Sequence, residues 1–194
     1  MNGRSASLLL SLWLVAACAN PPAPPSLRPG QAIAVLPPNN RCGDPLLVSG
    51  ASFLDRYVFH AGPVTVGDVL AGEVRFQLAE RGVAVIPQAV MAQAIDGQAP
   101  QSPQAAGENV ARGKLDALAL YLEIRRWEPD APTQPAFVIV GASASLVDPA
   151  SGKVVWQLDR PALPIPTPGE VTLETAYETA ARKLASQMVT AIKP

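Results

Sequence analysis

Two cysteines and one histidine, Cys18, Cys42 and His60, carry the side chains best suited to nucleophilic, redox or acid–base chemistry. Possible triad partners of His60 lie in the same stretch of chain: Asp44, Ser49, Ser52 and Asp55. A triad is defined by geometry, however, and the sequence contains no G-x-S-x-G motif. We therefore interpret His60 as an ordinary loop histidine and predict that the protein is not an enzyme.

The N-terminal segment has the plan of a secretory signal peptide, with Arg4 followed by an apolar run over 8–17. This run is about ten residues long, whereas a membrane-spanning helix needs about 20. The tetrapeptide Val15-Ala16-Ala17-Cys18 resembles the lipobox of bacterial lipoproteins. That resemblance implies cleavage between Ala17 and Cys18, acylation of the Cys18 thiol, and, since Ala19 rather than Asp follows, transfer to the outer membrane.

Five prolines lie between Pro21 and Pro29. Proline-rich segments adopt an extended, semi-rigid conformation that rises about 3.1 Å per residue. We therefore divide the chain into a lipoprotein signal peptide (1–17), a lipidated cysteine with a tether (18–30), and one periplasmic domain (31–194). The tether could hold the domain up to roughly 37 Å from the bilayer.

Composition excludes several classes of ligand. The formal net charge of −1 gives no basic stripe for nucleic acid. It also gives no polybasic patch for anionic lipid headgroups. One histidine and two cysteines are too few for the usual zinc sites, and glycine-rich nucleotide-binding motifs are absent. We predict no metal, no cofactor and no nucleic-acid partner.

Hydrophobic periodicity predicts an α/β (α+β) fold, with a mixed sheet of about five strands that includes an antiparallel meander. The predicted strands cover 31–36, 83–86, 115–127, 137–147 and 153–158. The predicted helices cover 66–80, with Thr65 as its cap, 88–95, 104–114 and 170–193, the last being a long C-terminal helix. In the clearest strand, alternation places Leu118, Leu120, Leu122 and Ile124 on one face, and Tyr121, Glu123, Arg125 and Trp127 on the other.

Residues 39–63 form an unusually long segment without clear periodicity, and long loops in compact domains are often functional. Its apolar residues include the candidates for binding a partner: Leu46, Leu47, Phe53, Leu54, Tyr57 and Phe59. The favoured alternative is a further strand or helix that covers the sheet. Cys42, in the same segment, is interpreted as a buried or half-buried thiol, with an intermolecular disulfide as the alternative. Glu123, Arg125 and Arg126 could bind a partner, but neighbouring charges on a half-solvated face are the favoured interpretation.

Four segments carry a wider resemblance: AIAVLPP, VGDVLAGEVRFQLAERG, LDALALYLEIRRWE and ASLVDPASGKVVWQ. They are similar to envelope lipoproteins that share a TolB N-terminal-like domain, including the curli secretion channel lipoprotein. The resemblance implies a non-enzymatic accessory lipoprotein on the periplasmic face of the outer membrane, acting through contacts with an envelope protein or with itself. The alternative is a periplasmic carrier or sensor of a small apolar ligand or lipid.

Overall fold

A mixed five-stranded sheet organises the chain. The computed structural model describes residues 27–43, 46–48, 64–95 and 98–192. The sheet contains β1 (Ala32–Val35), β2 (Asn39–Asn40), β5 (Ala117–Pro129), β6 (Phe137–Asp148) and β7 (Lys153–Pro166). A separate two-stranded sheet pairs β3 (Leu47–Val48) with β4 (Val64–Thr65). The helices are α1 (Val66–Glu80), α2 (Gln88–Ala94), α3 (Pro103–Arg112) and α4 (Leu173–Thr190).

Strand pairing confirms the predicted fold class. β1 and β2 run parallel to β5, with Ala32 opposite Ala117 and Asn39 opposite Glu123. β5, β6 and β7 form the predicted antiparallel meander. Within the described residues, no helix is both long and apolar enough to cross a bilayer.

Each face of the sheet has its own apolar core. Leu118, Leu120, Leu122 and Ile124 belong to the larger core, which also contains buried residues of α1 and α4. Ala119 and Tyr121 belong to the smaller core on the opposite face, with Met91 of α2 and Val110 of α3. The period of two in β5 therefore divides its side chains between two layers of helices.

The prediction for Trp127 was wrong, because β5 contains a bulge between Ile124 and Arg126. A bulge adds one residue to a strand and reverses the alternation beyond it. Trp127 consequently lies in the larger core with 4% exposure. Its ring meets that of Tyr177 on α4 edge to face, at a centroid distance of 6.0 Å and an angle of 87°.

Helix α1 has the predicted bounds because local signals fix both of its ends. The Asp68 backbone N–H donates to Thr65 Oγ1 (3.2 Å), and the Thr65 N–H donates to Asp68 Oδ2 (2.9 Å). This reciprocal capping box satisfies donors that the first turn leaves unused. Gly82 follows the helix with φ +77°, a conformation that glycine adopts without steric cost.

Two predicted strands differ from the structure. The segment 83–86 contributes only a parallel bridge between Val85 and Ile33. Strand β7 continues eight residues beyond Leu158 and includes Pro161, Pro164 and Pro166. Prolines are tolerated there because β7 is an edge strand, where a missing N–H can point away from the neighbouring strand.

Small residues in β6 serve both of its neighbours. Ala142 and Ala144 share the larger core with Ala180 of α4, and their small side chains leave room for that helix to pack closely on the sheet. Gly141 is small for a different reason. A Cβ atom on Gly141 would lie 3.3 Å from Cβ of Ala162, so this glycine accommodates strand β7 rather than the helix.

Candidate functional site

Most residues predicted to do chemistry or to bind a partner lie outside the described residues. These are Ala17, Cys18, Phe53, Leu54, Tyr57, Phe59 and His60. Leu46 and Leu47 are described, and they differ sharply. Leu46 is 3% exposed and belongs to the larger core, whereas Leu47 is 51% exposed. The described end of the segment 39–63 therefore contributes one side chain to the core and presents the next to solvent.

Cys42 is half-buried beside the larger core. Its Sγ atom lies 3.9 Å from the carbonyl oxygen of Ile124. The preceding strand β2 holds it there, because the Arg41 N–H donates to that same carbonyl at 2.8 Å. The thiol thus lies against the backbone of β5.

A buried polar network, which we call the Tyr121 network, joins β2, β5 and the loop before α3. Asn39 Nδ2 donates to Tyr121 Oη at 3.0 Å and approaches the Gln101 carbonyl oxygen at 3.4 Å. The Tyr121 hydroxyl donates to Glu123 Oε2 at 2.9 Å. Arg41 Nη1 lies 3.5 Å from the same carboxylate oxygen and connects the network to solvent.

Burial controls the chemistry of this network. Tyr121 is 2% exposed and Asn39 is 5% exposed. Burial raises the pKa of the Tyr121 phenol above 10.0, and the neighbouring Glu123 carboxylate raises it further, against the lowering effect of the hydrogen bond from Asn39. A phenol with a raised pKa keeps its proton and remains a donor to Glu123. The network is suited to holding three chain segments in register.

The charged residues of the distal part of β5 form ion pairs within the chain. Arg125 Nη2 contacts Asp159 and donates to the Ala142 carbonyl oxygen at 3.0 Å. Arg126 Nη2 lies 2.6 Å from Glu128 Oε2. These contacts agree with the interpretation of Glu123, Arg125 and Arg126 as charges on a half-solvated face. Pairs this exposed contribute little to stability.

The β1 edge of the sheet is closed by the chain itself. The Ile33 N–H donates to the Ala84 carbonyl at 2.8 Å, and the Ile33 carbonyl accepts from the Ile86 N–H at 3.0 Å. Further along, Arg75 Nη2 donates to the Val35 carbonyl at 3.1 Å. Burial lowers the pKa of the Arg75 guanidinium to about 10. These hydrogen bonds already engage the backbone groups of Ile33 and the Val35 carbonyl, so an added strand could not pair with β1 there.

The β7 edge is open among the described residues, but it changes character along its length. Its second half carries the three prolines, which cannot donate hydrogen bonds to an added strand. Its exposed apolar side chains are Val154 (39%), Val155 (50%) and Leu163 (48%). This edge offers backbone groups in its first half and apolar side chains in both halves.

A cleft of about 430 Å³ opens at the end of the sheet where the described chain begins. Its lining includes Arg28 and Gln31 before β1, Asp116 before β5, Asp148 at the end of β6, and Val155. Asp148 is engaged in its own turn, where it accepts from Ser151 Oγ and the Ala150 N–H. These hydrogen bonds, with that of Ser151 the stronger, lower the pKa of the Asp148 carboxyl. Nearby Arg28 contributes a smaller lowering effect.

Sequence reasoning missed the partners of Tyr121. Alternation did place Tyr121 and Glu123 on one face of a strand, but Asn39 and Arg41 lie 82 positions earlier, in a segment interpreted as irregular. The one sequence feature that could have pointed to these partners is the pair of asparagines, Asn39 and Asn40, directly after Pro37-Pro38. In the described residues, no group of three His, Cys, Asp or Glu side chains could hold a metal ion.

No protein-family model matches the sequence, and neither does any curated protein. Solved structures do match. The PelC dodecamer from Paraburkholderia phytofirmans is similar over 87% of this chain and 91% of its own, with a TM-score of 0.52 and 16% identity. A single-substitution variant of that dodecamer gives a TM-score of 0.55 at 17% identity, over 88% and 94% of the two chains. The chain has a PelC-like fold.

Lipoprotein GNA1162 from Neisseria meningitidis is also similar, with a TM-score of 0.44 and 17% identity over 80% of this chain and 94% of its own. The likeness to PelC extends over nearly the whole of both chains, so it concerns the complete domain rather than one motif. At these identities it establishes the fold alone. The TolB-like assignment stays a prediction.

Proposed function

We propose that the protein is a membrane-anchored accessory lipoprotein of the bacterial cell envelope that acts through protein–protein contacts, the first of them with further copies of itself. The observation that carries this proposal is the fold shared with PelC, which is a dodecamer. The lipobox-like sequence ending at Cys18 supports the anchor, and Ala19 supports the periplasmic face of the outer membrane.

The two sheet edges favour one kind of contact. One way in which copies of a chain assemble is through a heterologous interface, in which one surface of each copy meets a different surface of the next. Because residues 84–86 and Arg75 occupy the hydrogen-bonding groups of Ile33 and Val35, β7 of one copy is not expected to extend the sheet of the next at β1. We therefore expect the β7 edge, with Val154, Val155 and Leu163, to meet another part of the neighbouring copy.

A photo-crosslinking amino acid in the lipidated protein tests this proposal in cells. The probe is placed at Val155 or at Leu163, and at Val90 or Phe76 as controls, since these are also exposed apolar residues (42% and 59%) but lie on α2 and α1. We expect covalent multimers from the β7 positions and far fewer from the control positions. Light scattering of the detergent-purified protein should give one defined oligomer.

The outcomes separate the parts of the proposal. Crosslinks from β7 to a different envelope protein would retain the accessory role and overturn self-association. A monomer without any crosslinked protein would overturn both. The alternative function, a periplasmic carrier or sensor of a small apolar ligand or lipid, would need a pocket beneath the segment 39–63, most of which lies outside the described residues.

A further inference from the structure

Most strands and helices of the domain begin or end at the same end of it. β1 and β5 begin there, with Ala32 opposite Ala117, and β6 turns into β7 there, with Asp148 opposite Lys153. α1 and α4 also finish at this end, as Arg81 Nη2 lies 3.2 Å from Thr190 Oγ1. We call this region the tether end, because the described chain enters it at residue 27.

Helix α3 points toward the same end. Gln101, just before the helix, lies at the level of Tyr121 in the middle of β5. Gly107, halfway along the helix, packs against Val147 near the end of β6, where its Cβ would lie 2.9 Å from Cγ1 of Val147. The last helical residue, Arg112, therefore lies at the tether end, shortly before the chain enters β5.

Folding brings basic side chains together at the tether end from four separate parts of the sequence. They are Arg28, Arg81, Arg112, Lys114 and Lys153, and all five are exposed. Four acidic side chains lie at the same end: Glu80, Glu108, Asp116 and Asp148. The tether end thus carries a net charge of +1, while the other described residues, with seven basic and nine acidic side chains, carry −2.

The basic residues of the tether end differ from most of those elsewhere in how they are used. Arg41, Arg125, Arg126 and Arg182 all form ion pairs within the chain. Among the described residues, none of the five basic side chains at the tether end forms an ion pair. Arg28 lies near enough to Asp148 to lower the pKa of that carboxyl, but it forms no direct ion pair with it. The charge of the five side chains is therefore available to a partner of opposite sign.

The position of the tether indicates what that partner is. Leu27 packs against the larger core, so the fold begins four residues earlier than position 31. Only residues 19–26 then separate it from Cys18, a reach of roughly 25 Å for an extended proline-rich chain. We propose that the tether end rests on anionic lipid headgroups of the membrane that holds the anchor. This inference relies on the proposed anchorage at Cys18.

Electrostatics favours this orientation over its reverse. A negative lipid surface attracts nearby Lys and Arg side chains, and its field falls off within a Debye length, about 8–10 Å at ordinary salt concentrations. β5 has 13 residues, so at about 3.3 Å per residue its far end lies roughly 40 Å from the tether end. When the strands run along the membrane normal, only the tether end is close enough to the lipid surface to interact with its charge.

Lysine reactivity measures this contact without any substitution. The lipidated protein is reconstituted into neutral phosphatidylcholine vesicles, or into vesicles with roughly one third phosphatidylglycerol. It is then treated with an amine-reactive reagent, and mass spectrometry measures how far each lysine has been modified. On the anionic vesicles we expect the reactivity of Lys114 and Lys153 to fall by about threefold or more, with Lys183 on α4 unchanged. About 0.5 M NaCl should reverse the effect. Equal reactivity at Lys114 and Lys153 on both vesicles would overturn the proposal.

Two matched triple variants assign the effect to the tether end. Arg28→Gln, Arg112→Gln and Lys114→Gln together should abolish the protection of Lys153. Arg41→Gln, Arg126→Gln and Arg182→Gln together, which remove the same charge from ion-paired positions, should retain it. Vesicle flotation separates the two proposals. If the protein floats with neither kind of vesicle, the proposed anchorage at Cys18 is contradicted. If it floats with both but Lys114 and Lys153 stay reactive, the anchorage holds and the proposed contact of the tether end with lipid is contradicted.

Discussion

Asn39 Nδ2 lies 3.0 Å from Tyr121 Oη, and this hydrogen bond joins residues that are 82 positions apart. Both side chains are buried. If either is removed, the other loses its hydrogen bond and has no access to water, which costs free energy. The bond fixes strand β2 against the middle of β5. Its consequences can be measured by substitution and by pH.

Replacing Tyr121 by Phe should lower the free energy of unfolding by about 1–3 kcal/mol, because buried polar groups of Asn39 lose their partner. Denaturant unfolding measures the loss. In a double-mutant cycle with Asn39→Ala, the double variant should lose about 1 kcal/mol less stability than the sum of the two single losses. Simple additivity would show that the two side chains do not interact.

Alkaline pH should reduce the stability that Tyr121 contributes. Its pKa is raised above 10.0 in the folded state, so its contribution is fully present below 10.0 and is lost as pH rises through the raised value. The stability difference between the unaltered protein and Tyr121→Phe should therefore shrink at high pH. A difference that grows with pH would contradict the assigned direction of the shift.

Gly107→Ala should destabilise the protein by about 1–3 kcal/mol, because the new Cβ would lie 2.9 Å from Cγ1 of Val147 and would push α3 away from β6. Gly67→Ala in α1 is the matched control. There the nearest atom, Thr65 Oγ1, lies at 3.4 Å, and helix propensity favours alanine by up to about 1 kcal/mol. Thermal unfolding should shift in opposite directions for the two variants.

Cys18→Ala should block labelling by radioactive fatty acid and leave the precursor at its full length, because the proposed acyl acceptor is missing. Cys42→Ala supplies the control, since it removes the other thiol and should leave both labelling and processing intact. Electrophoresis of labelled cells distinguishes the two. Normal labelling of the Cys18 variant would refute the anchor.

Features that depend on near neighbours in sequence could be predicted. The Thr65 and Asp68 side chains that cap α1 are three residues apart, and the alternation of β5 is readable from Leu118 to Ile124. The alternation fails at Trp127 because the register of a bulge depends on pairing with β6, which the sequence of β5 does not contain.

Features that depend on distant segments could not be predicted. Strand β2 has only two residues, and it is a strand only because β5 lies beside it. The length of β7 depended on its being an edge strand, where prolines are tolerated. The net charge of −1 predicted no basic patch, yet folding brings Arg28 and Lys153 to the same end of the domain and leaves the acidic excess elsewhere.

The parallel pairing of β1 with β5 has a consequence for the order of events during synthesis. β1 is complete at Val35, but its partner strand begins at Ala117, and that strand is itself flanked by β6, which ends at Asp148. A contact this distant in sequence closes late. The chain is synthesised from its N-terminus, so the segment that contains the proposed acylation site, Cys18, is made before most of the sheet. The larger sheet therefore cannot close until at least the residues through Leu120 have been made.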